Sequence, residues 1–278
     1  MKLVDAIQNP QLFVRKAVGK LRRTTVRVPD QPITRQMPGG VVFEHRKLSF
    51  LDDDDIRAMM TQSYDIILCD CFRRHLSPGD IVLDVGANIG YMSAIAASGV
   101  GPSGEVHGFE PLAECFERLQ ALSRSNPTFR FFFNNAAVGA QNGSMPIGLN
   151  PQGDMRNATL VPGKHTPETR EVSVCRLDDY IFERIAAPER IRIIKIDVEG
   201  FEFPVLQGLE RFFSTTALRP LIVCEIKPWE IRNIGYTMTD FDAYMRKFDY
   251  KPYDIVRESS VIDLKALEDM DTVLFRAS

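Results

Sequence analysis

Five residues able to bind a ligand or move a proton fall at one kind of place in this chain. Asp84 follows the apolar "IVL", Glu110 follows "VHGF", Asn135 follows "FFFN", Asp197 follows "IIKI" and Glu225 follows "IVC". Each run reads as a short buried strand, and each ends in a polar or acidic group. In a parallel sheet the ligand sits outside the carboxyl ends of the strands, near the switch in strand order. These residues are therefore expected to meet around one ligand, and packing alone does not account for so many polar strand ends.

The nature of that ligand follows from Gly86-Ala87-Asn88-Ile89-Gly90, the turn after the first of these strands. Gly86 and Gly90 allow a tight turn and a close backbone approach. The Lys of a phosphate-binding loop is missing, and so is the G-x-G-x-x-G spacing of a dinucleotide site. The nearest charge is Asp84, which would repel a pyrophosphate and suits an ammonium or a sulfonium. Glu110, 26 residues later at the end of the next strand, can accept both hydroxyls of a ribose. A nucleoside with a cationic amino-acid tail is S-adenosylmethionine. The plainer alternative makes Asp84 a helix cap and Glu110 a solvated strand end.

Asp197, Glu199 and Glu225 are the expected reacting groups. Clustered carboxylates raise one another's pKa, which suits a general base. Asp197 or Glu199 is expected to be that base. The same acids would suit a divalent cation such as Mg2+ holding two acceptor oxygens, although no dedicated metal ligands are assigned. Glu199 alone could be a helix N-terminal acid answering the dipole. His165, in "VPGKHTPETR", is a candidate base on a lid. Methylation of nucleic-acid bases is not expected, because no Asn/Asp-Pro-Pro-Tyr loop follows the fourth strand. Cys224, inside a strand, is no nucleophile for carbon methylation.

The elements that must hold these groups alternate. From Ser77, short apolar strands ("IVLDVG", "GEVHGFEP", "RFFFNNAAVG", "IRIIKIDVEG", "PLIVCEI") alternate with helical stretches such as "GYMSAIAAS" and "LAECFERLQALSRS". That pattern predicts an α/β fold with a doubly wound, mostly parallel sheet. "YKPYDIV" and "DTVLFRA" are expected to pair as an antiparallel C-terminal edge, and "SMPIGL" and "REVSVCRL" to form extra strands in an insertion at about 140–176.

Residues 1–76 read as an N-terminal helical extension and linker, and 77–278 as the main domain. Residues 29–40, rich in Pro and Gly, read as linker, 41–50 as a short strand pair and 52–76 as one helix begun by aspartates. Residues 1–28 read as a helical segment interrupted at Pro10, with Leu3, Val4, Ile7, Val14, Val18 and Leu21 on one apolar side. Arg15, Lys16, Lys20, Arg22, Arg23 and Arg27 follow with no acid among them. The expectation is a helix packed on the domain by that apolar side; the rival is peripheral association with a membrane surface.

Composition sets the remaining bounds. The chain has 278 residues, 44% hydrophobic, ample for a buried core. Its 34 Lys+Arg against 37 Asp+Glu give a formal net charge of −3, which does not suggest nucleic acid as a partner. Five scattered cysteines, an odd number without a framework, suggest reduced thiols in a cytoplasm. No apolar run reaches a membrane span, and no secretory signal is read at the start.

The chain resembles the FkbM family of S-adenosylmethionine-dependent methyltransferases. The resemblance is carried by "GDIVLDVGANIGY" (79–91), "GEVHGFEP" (104–111), "NNAAVG" (134–139), "VSVCRLDDYI" (172–181), "IKIDVEGFEFPVLQG" (195–208) and "PLIVCEIKP" (220–228). It implies a Rossmann-like class I methyltransferase fold, S-adenosylmethionine as donor with S-adenosylhomocysteine as product, and usually a hydroxyl acceptor. The acceptors implied are sugars of glycans or glycolipids, with polyketide and other secondary metabolites as the alternative. A non-catalytic S-adenosylmethionine-binding module is the rival outside enzymes.

By the same resemblance Asp84, Gly86, Ala87, Asn88 and Gly90 surround the methionine moiety. Glu110 takes the ribose, Pro111 and Leu112 flank the adenine, and Asn135 and Ala136 form the turn at the adenine ring. Asp197 and Glu199 stand at the reacting centre. Where family members often have His soon after the fifth-strand Glu, this chain reads Glu225-Ile226-Lys227, so little weight falls on Lys227. The acceptor pocket is expected from residues 29–60 and 140–176, which the resemblance covers least.

Overall fold

The computed structural model describes residues 10–149, 158–161 and 169–277. The described residues open with a helix, Pro10–Thr25, followed by the two-stranded antiparallel sheet of β1 (Ile33–Gln36) and β2 (Val42–His45). The strand pair expected within 41–50 thus forms instead between β2 and part of the expected linker. The single helix expected over 52–76 is two, Asp53–Met60 and Ile66–His75. Gln62 and Asp65 break it, with φ of 55° and 34°. Asp52 caps the first helix by accepting from the Asp55 amide at 2.8 Å, as its run of acids suggested.

The central strands follow: β3 (Ile81–Val85), β4 (Glu105–Phe109) and β5 (Phe131–Asn134). The chain then leaves the sheet for β6 (Ala137–Val138), β7 (Gly143–Gly148) and β8 (Thr169–Cys175). It returns through β9 (Ile191–Ile196) and β10 (Leu221–Ile226), and ends with β11 (Tyr250–Asp254) and β12 (Asp271–Ala277). Among the described residues the main sheet has the order β11-β12-β10-β9-β3-β4-β5, and β6-β8-β7 form a small separate sheet. The β3, β4, β5, β9 and β10 pairings are parallel, whereas β12 runs antiparallel to both β10 and β11. The chain thus has the expected doubly wound, mostly parallel sheet, with the antiparallel C-terminal edge and the strands of the insertion.

Both faces of the sheet are covered, which is why its strands read as unbroken apolar runs. Val82, Ile193, Val223 and Leu274 share one core with Leu68, Phe72 and Ile95 from helices on that side. Leu83, Ile194, Ile222 and Phe275 share the other with Leu177, Phe212 and Phe241. Phe43 and Met59 belong to the first core, so the N-terminal elements pack into the same hydrophobic cluster as the sheet. Cys69, Cys71, Cys115 and Cys224 are buried free thiols and Cys175 is half-buried. Burial pushes Cys69 and Cys71 up to about 12 and leaves them unreactive.

Strand order reverses between β3 and β9. The chain ends of these neighbours, residues 84–90 and 195–200, therefore face one crevice.

Candidate active site

The β3–β9 register pairs Asp84 with Lys195 and Val85 with Ile196. Their neighbouring loops are thereby pressed together. Gly86 has φ +77°, and a Cβ placed on it would lie 1.8 Å from the Asp197 carbonyl oxygen, so only glycine fits. Gly90, at φ +86°, turns the chain into the helix Tyr91–Val100. Asn88 between them holds φ +49° and accepts the Ile89 amide on its own Oδ1 at 2.7 Å.

Glu110, at the end of β4, fixes this loop. Its carboxylate accepts the Asn88 amide at 2.9 Å on one oxygen and the Leu112 amide at 2.9 Å on the other. Burial pushes this carboxyl up to about 7, against the pull of the two amides.

A cavity of about 240 Å³ opens over these groups. Gly86, Ala87, Asn88, Glu110 and Pro111 line it, together with Asp197, Glu199 and Glu225. Gly90, Asn135 and Ala136 do not reach its wall. Asn135 instead stands behind Glu110, donating to the carbonyls of Glu110 and Pro111 at 3.0 Å each. Leu51, Met59, Tyr64, Asp65 and Leu68 from the N-terminal elements close one side, and Ile147, Ala158 and Leu160 another. His165 lies outside the described residues.

Asp84 differs from expectation. Its carboxylate is fully buried beneath the loop and is not part of the cavity wall. Lys195 Nζ lies 3.1 Å from one of its oxygens, and the Ser93 hydroxyl donates to the other at 2.6 Å. Asp84 is thus engaged by an internal cation rather than open to a ligand's ammonium. Lys195 also lies 3.4 Å from Asp197 and donates to the Gly86 carbonyl at 3.0 Å. Burial works against its charge, but Asp84 and Asp197 outweigh this and hold the ammonium above its usual range.

Lys227, given little weight from sequence, sits at the centre of the cluster. It is buried, donates to Glu199 in a short hydrogen bond and lies 3.1 Å from Glu225. Burial opposes its charge and the two carboxylates outweigh it, so its pKa is raised. Glu199 adopts φ +57°, and its carbonyl accepts the Thr159 hydroxyl at 2.6 Å. The helix-start role considered for Glu199 belongs to Glu202, which accepts the Gly200 amide at 2.8 Å. Glu225 is pushed up to about 7, first by burial and then by the charge of Asp197.

Ligand oxygens of Asp197, Glu199 and Glu225 all lie within 4.8 Å of one another. That spacing could hold a metal ion, but the Lys227 ammonium already bridges two of the three. A cation would have to displace it, so the donor set does not fit a resident metal.

Both lysines were missed as site residues. The signal was present in "RIIKID", where a lysine interrupts a run that must be buried on both faces. Such a lysine needs an acid on the neighbouring strand.

Comparison with known proteins places this geometry in a family. The methyltransferase FkbM domain matches residues 84–252. The chain is 35% identical over 178 residues to the 31-O-demethyl-FK506 methyltransferase FkbM of Streptomyces tacrolimicus, covering 50% of this chain and 64% of that protein. It is 27% identical over 164 residues to the methyltransferase sdnD of Sordaria araneosa, covering 49% of this chain and 62% of that protein. The chain therefore spans less than two thirds of the length of these relatives. Among solved structures, Aeropyrum pernix fibrillarin with natively bound S-adenosyl-L-methionine aligns with a TM-score of 0.40 at 14% identity, over 89% of this chain and 84% of that one. The FkbM domain match takes in more than half of the sequence, and the chain belongs to the FkbM methyltransferase family.

Proposed function

We propose that the protein is an S-adenosylmethionine-dependent O-methyltransferase. The observation that carries this reading is the shared cavity: the Gly86–Asn88 backbone and Glu110 line it beside Asp197, Glu199 and Glu225. Carboxylates outnumber the two ammonium groups here, which suits a cationic ligand. The buried Glu110 carboxylate, raised to about 7, gains from the hydrogen-bond donors of a ribose. The residues present thus fit S-adenosylmethionine, which supplies an electrophilic methyl group when bound.

The chain's own part is to position the acceptor and take its proton. Glu225 is the base in this reading, ahead of the Asp197 or Glu199 favoured from sequence. Glu199 is committed to Lys227, whereas Glu225 has a pKa drawn toward neutrality. Lys227 holds Glu199 and Glu225 in fixed relation, and Asp197 raises the basicity of Glu225. In this reading the acceptor enters between the side lined by Met59, Tyr64 and Leu68 and the side lined by Ile147, Ala158 and Leu160.

The acceptor is a hydroxyl, and our first reading is a sugar hydroxyl of a glycan or glycolipid. The 31-O-demethyl-FK506 methyltransferase at 35% identity favours a second, a hydroxyl of a secondary metabolite. The test is calorimetric binding of S-adenosylmethionine and S-adenosylhomocysteine, followed by S-adenosylhomocysteine release against both acceptor sets. Binding with turnover on sugars supports the first reading, and turnover on metabolites alone supports the second. A folded protein that binds neither nucleoside would overturn both.

A further inference from the structure

The helix Pro10–Thr25 turns its apolar stripe the wrong way for a packed helix. Val14, Val18 and Leu21, expected to dock on the domain, are 56%, 39% and 69% exposed, and Phe13 is 47% exposed. The docking face is a different one. Leu12 is buried, Arg15 pairs with Asp70 at 2.8 Å, and Arg23 pairs with Asp54 at 3.0 Å and donates to the Ser63 carbonyl at 2.6 Å. Between them Gly19 lies so close to Ser63 that a Cβ there would be 2.4 Å from the serine Cβ.

At about 100° per residue, Leu12, Arg15, Gly19 and Arg23 share one side of the helix. Phe13, Val14, Val18 and Leu21 centre on the opposite side. Lys16 and Lys20 flank the stripe along one border and Arg22 along the other. No acid lies on the helix, and these three cations hold no ion pair among the described residues. A groove beside it is lined by Lys16, Lys20, Arg23, Arg27 and Arg57, with Asp54 the acid among them.

We propose that this outward face docks the protein on an anionic lipid bilayer. An apolar stripe with cations on both borders is the pattern of a helix lying in the interface plane. The apolar side chains enter the acyl boundary and the lysine and arginine heads reach back to lipid phosphates. Charge complementarity favours this occupant: an acidless, doubly bordered cationic face matches a sheet of negative headgroups. The helix rests on Ser63, next to Tyr64 and Asp65 of the cavity wall, so docking would hold that wall near the membrane.

The experiment is vesicle flotation of the full chain. Wild type is expected to float with phosphatidylglycerol-containing vesicles, to stay behind with pure phosphatidylcholine and to be released by high salt. Val14→Glu/Leu21→Glu is expected to abolish flotation, and Lys16→Glu/Lys20→Glu to weaken binding by roughly tenfold or more. Both variants should melt as wild type does, because the altered side chains are exposed. Failure of wild type to float, or equal flotation of all three, overturns the proposal. So does a dimer without lipid, seen by sedimentation, that Val14→Glu/Leu21→Glu dissociates, since the stripe would then serve a second copy. The readout does not involve S-adenosylmethionine, so its failure is distinct from failure of the methyltransferase reading.

Discussion

Lys195 and Asp84 form a buried ion pair, with Nζ 3.1 Å from the carboxylate, and Lys195 itself forms part of the cavity wall. The pair arises from register: β3 and β9 run parallel with Asp84 opposite Lys195. The same ammonium reaches Asp197 and the Gly86 carbonyl, tying both crevice loops to one buried point.

Removing one member of such a pair leaves the other charge buried and uncompensated. Lys195→Met is expected to destabilise the fold by about 3–5 kcal/mol. Asp84→Asn in the same background should recover a large part of that loss, because no buried charge then lacks its partner. Equilibrium denaturation of the two variants checks this. An equal loss in the single and double variants would mean that the pair acts through packing.

Glu110 makes ligand binding depend on pH. Its carboxyl titrates at about 7 in the free protein. Ribose hydroxyls donate to the ionised form and lower that pKa in the complex. A group whose pKa falls on binding contributes affinity above its free pKa and loses it as pH drops through that value. S-adenosylhomocysteine affinity is therefore expected to be flat above about pH 7 and to weaken below it, approaching tenfold per unit. Glu110→Gln should weaken binding by roughly tenfold or more, since an amide carbonyl cannot serve both backbone donors and the ribose. It should also flatten the pH response. Calorimetry across pH reads both.

The legible part of the fold is the part whose signal is local. Short apolar runs ending in Asp84, Glu110 and Asp197 announce parallel strands, and "DVGANIG" announces the turn between β3 and its helix. What was not legible depends on register and on facing elements. Asp84 looked like a ligand group because the sequence does not show that Lys195 stands opposite it. Lys227 looked incidental because its two acids come from different elements, Glu225 from β10 and Glu199 from the turn after β9 at φ +57°. The helix Pro10–Thr25 was misread because its apolar periodicity is real but the domain offers it Asp70, Asp54 and Ser63, which select the arginine face.

Lys227 also bears on metal dependence. Its ammonium bridges Glu199 and Glu225, the position a divalent cation would need. Activity is expected to be unchanged by EDTA or by added Mg2+. Lys227→Met should instead lose turnover and bind Mn2+ measurably, because Glu199 and Glu225 then face each other and Asp197 without the ammonium that bridged them. Full loss of wild-type activity in EDTA, restored by Mg2+, would contradict this account.

The assignment of the base rests on Glu225 and has a pH signature of its own. Burial and the Asp197 charge place its carboxyl at about 7. A base must be ionised to act, so kcat is expected to rise with pH and level off above about 7. Glu225→Gln should lower kcat by roughly 10²–10⁴ while leaving S-adenosylhomocysteine affinity near wild type, as expected for a proton acceptor. Asp197→Asn removes the neighbouring negative charge that raises Glu225, so the rising limb should shift to lower pH. If Glu225→Gln keeps wild-type turnover and Asp197→Asn abolishes it, the base is Asp197 and Glu225 only orients the acceptor. The direction of the limb shift in Asp197→Asn separates the two roles even where both variants are slow.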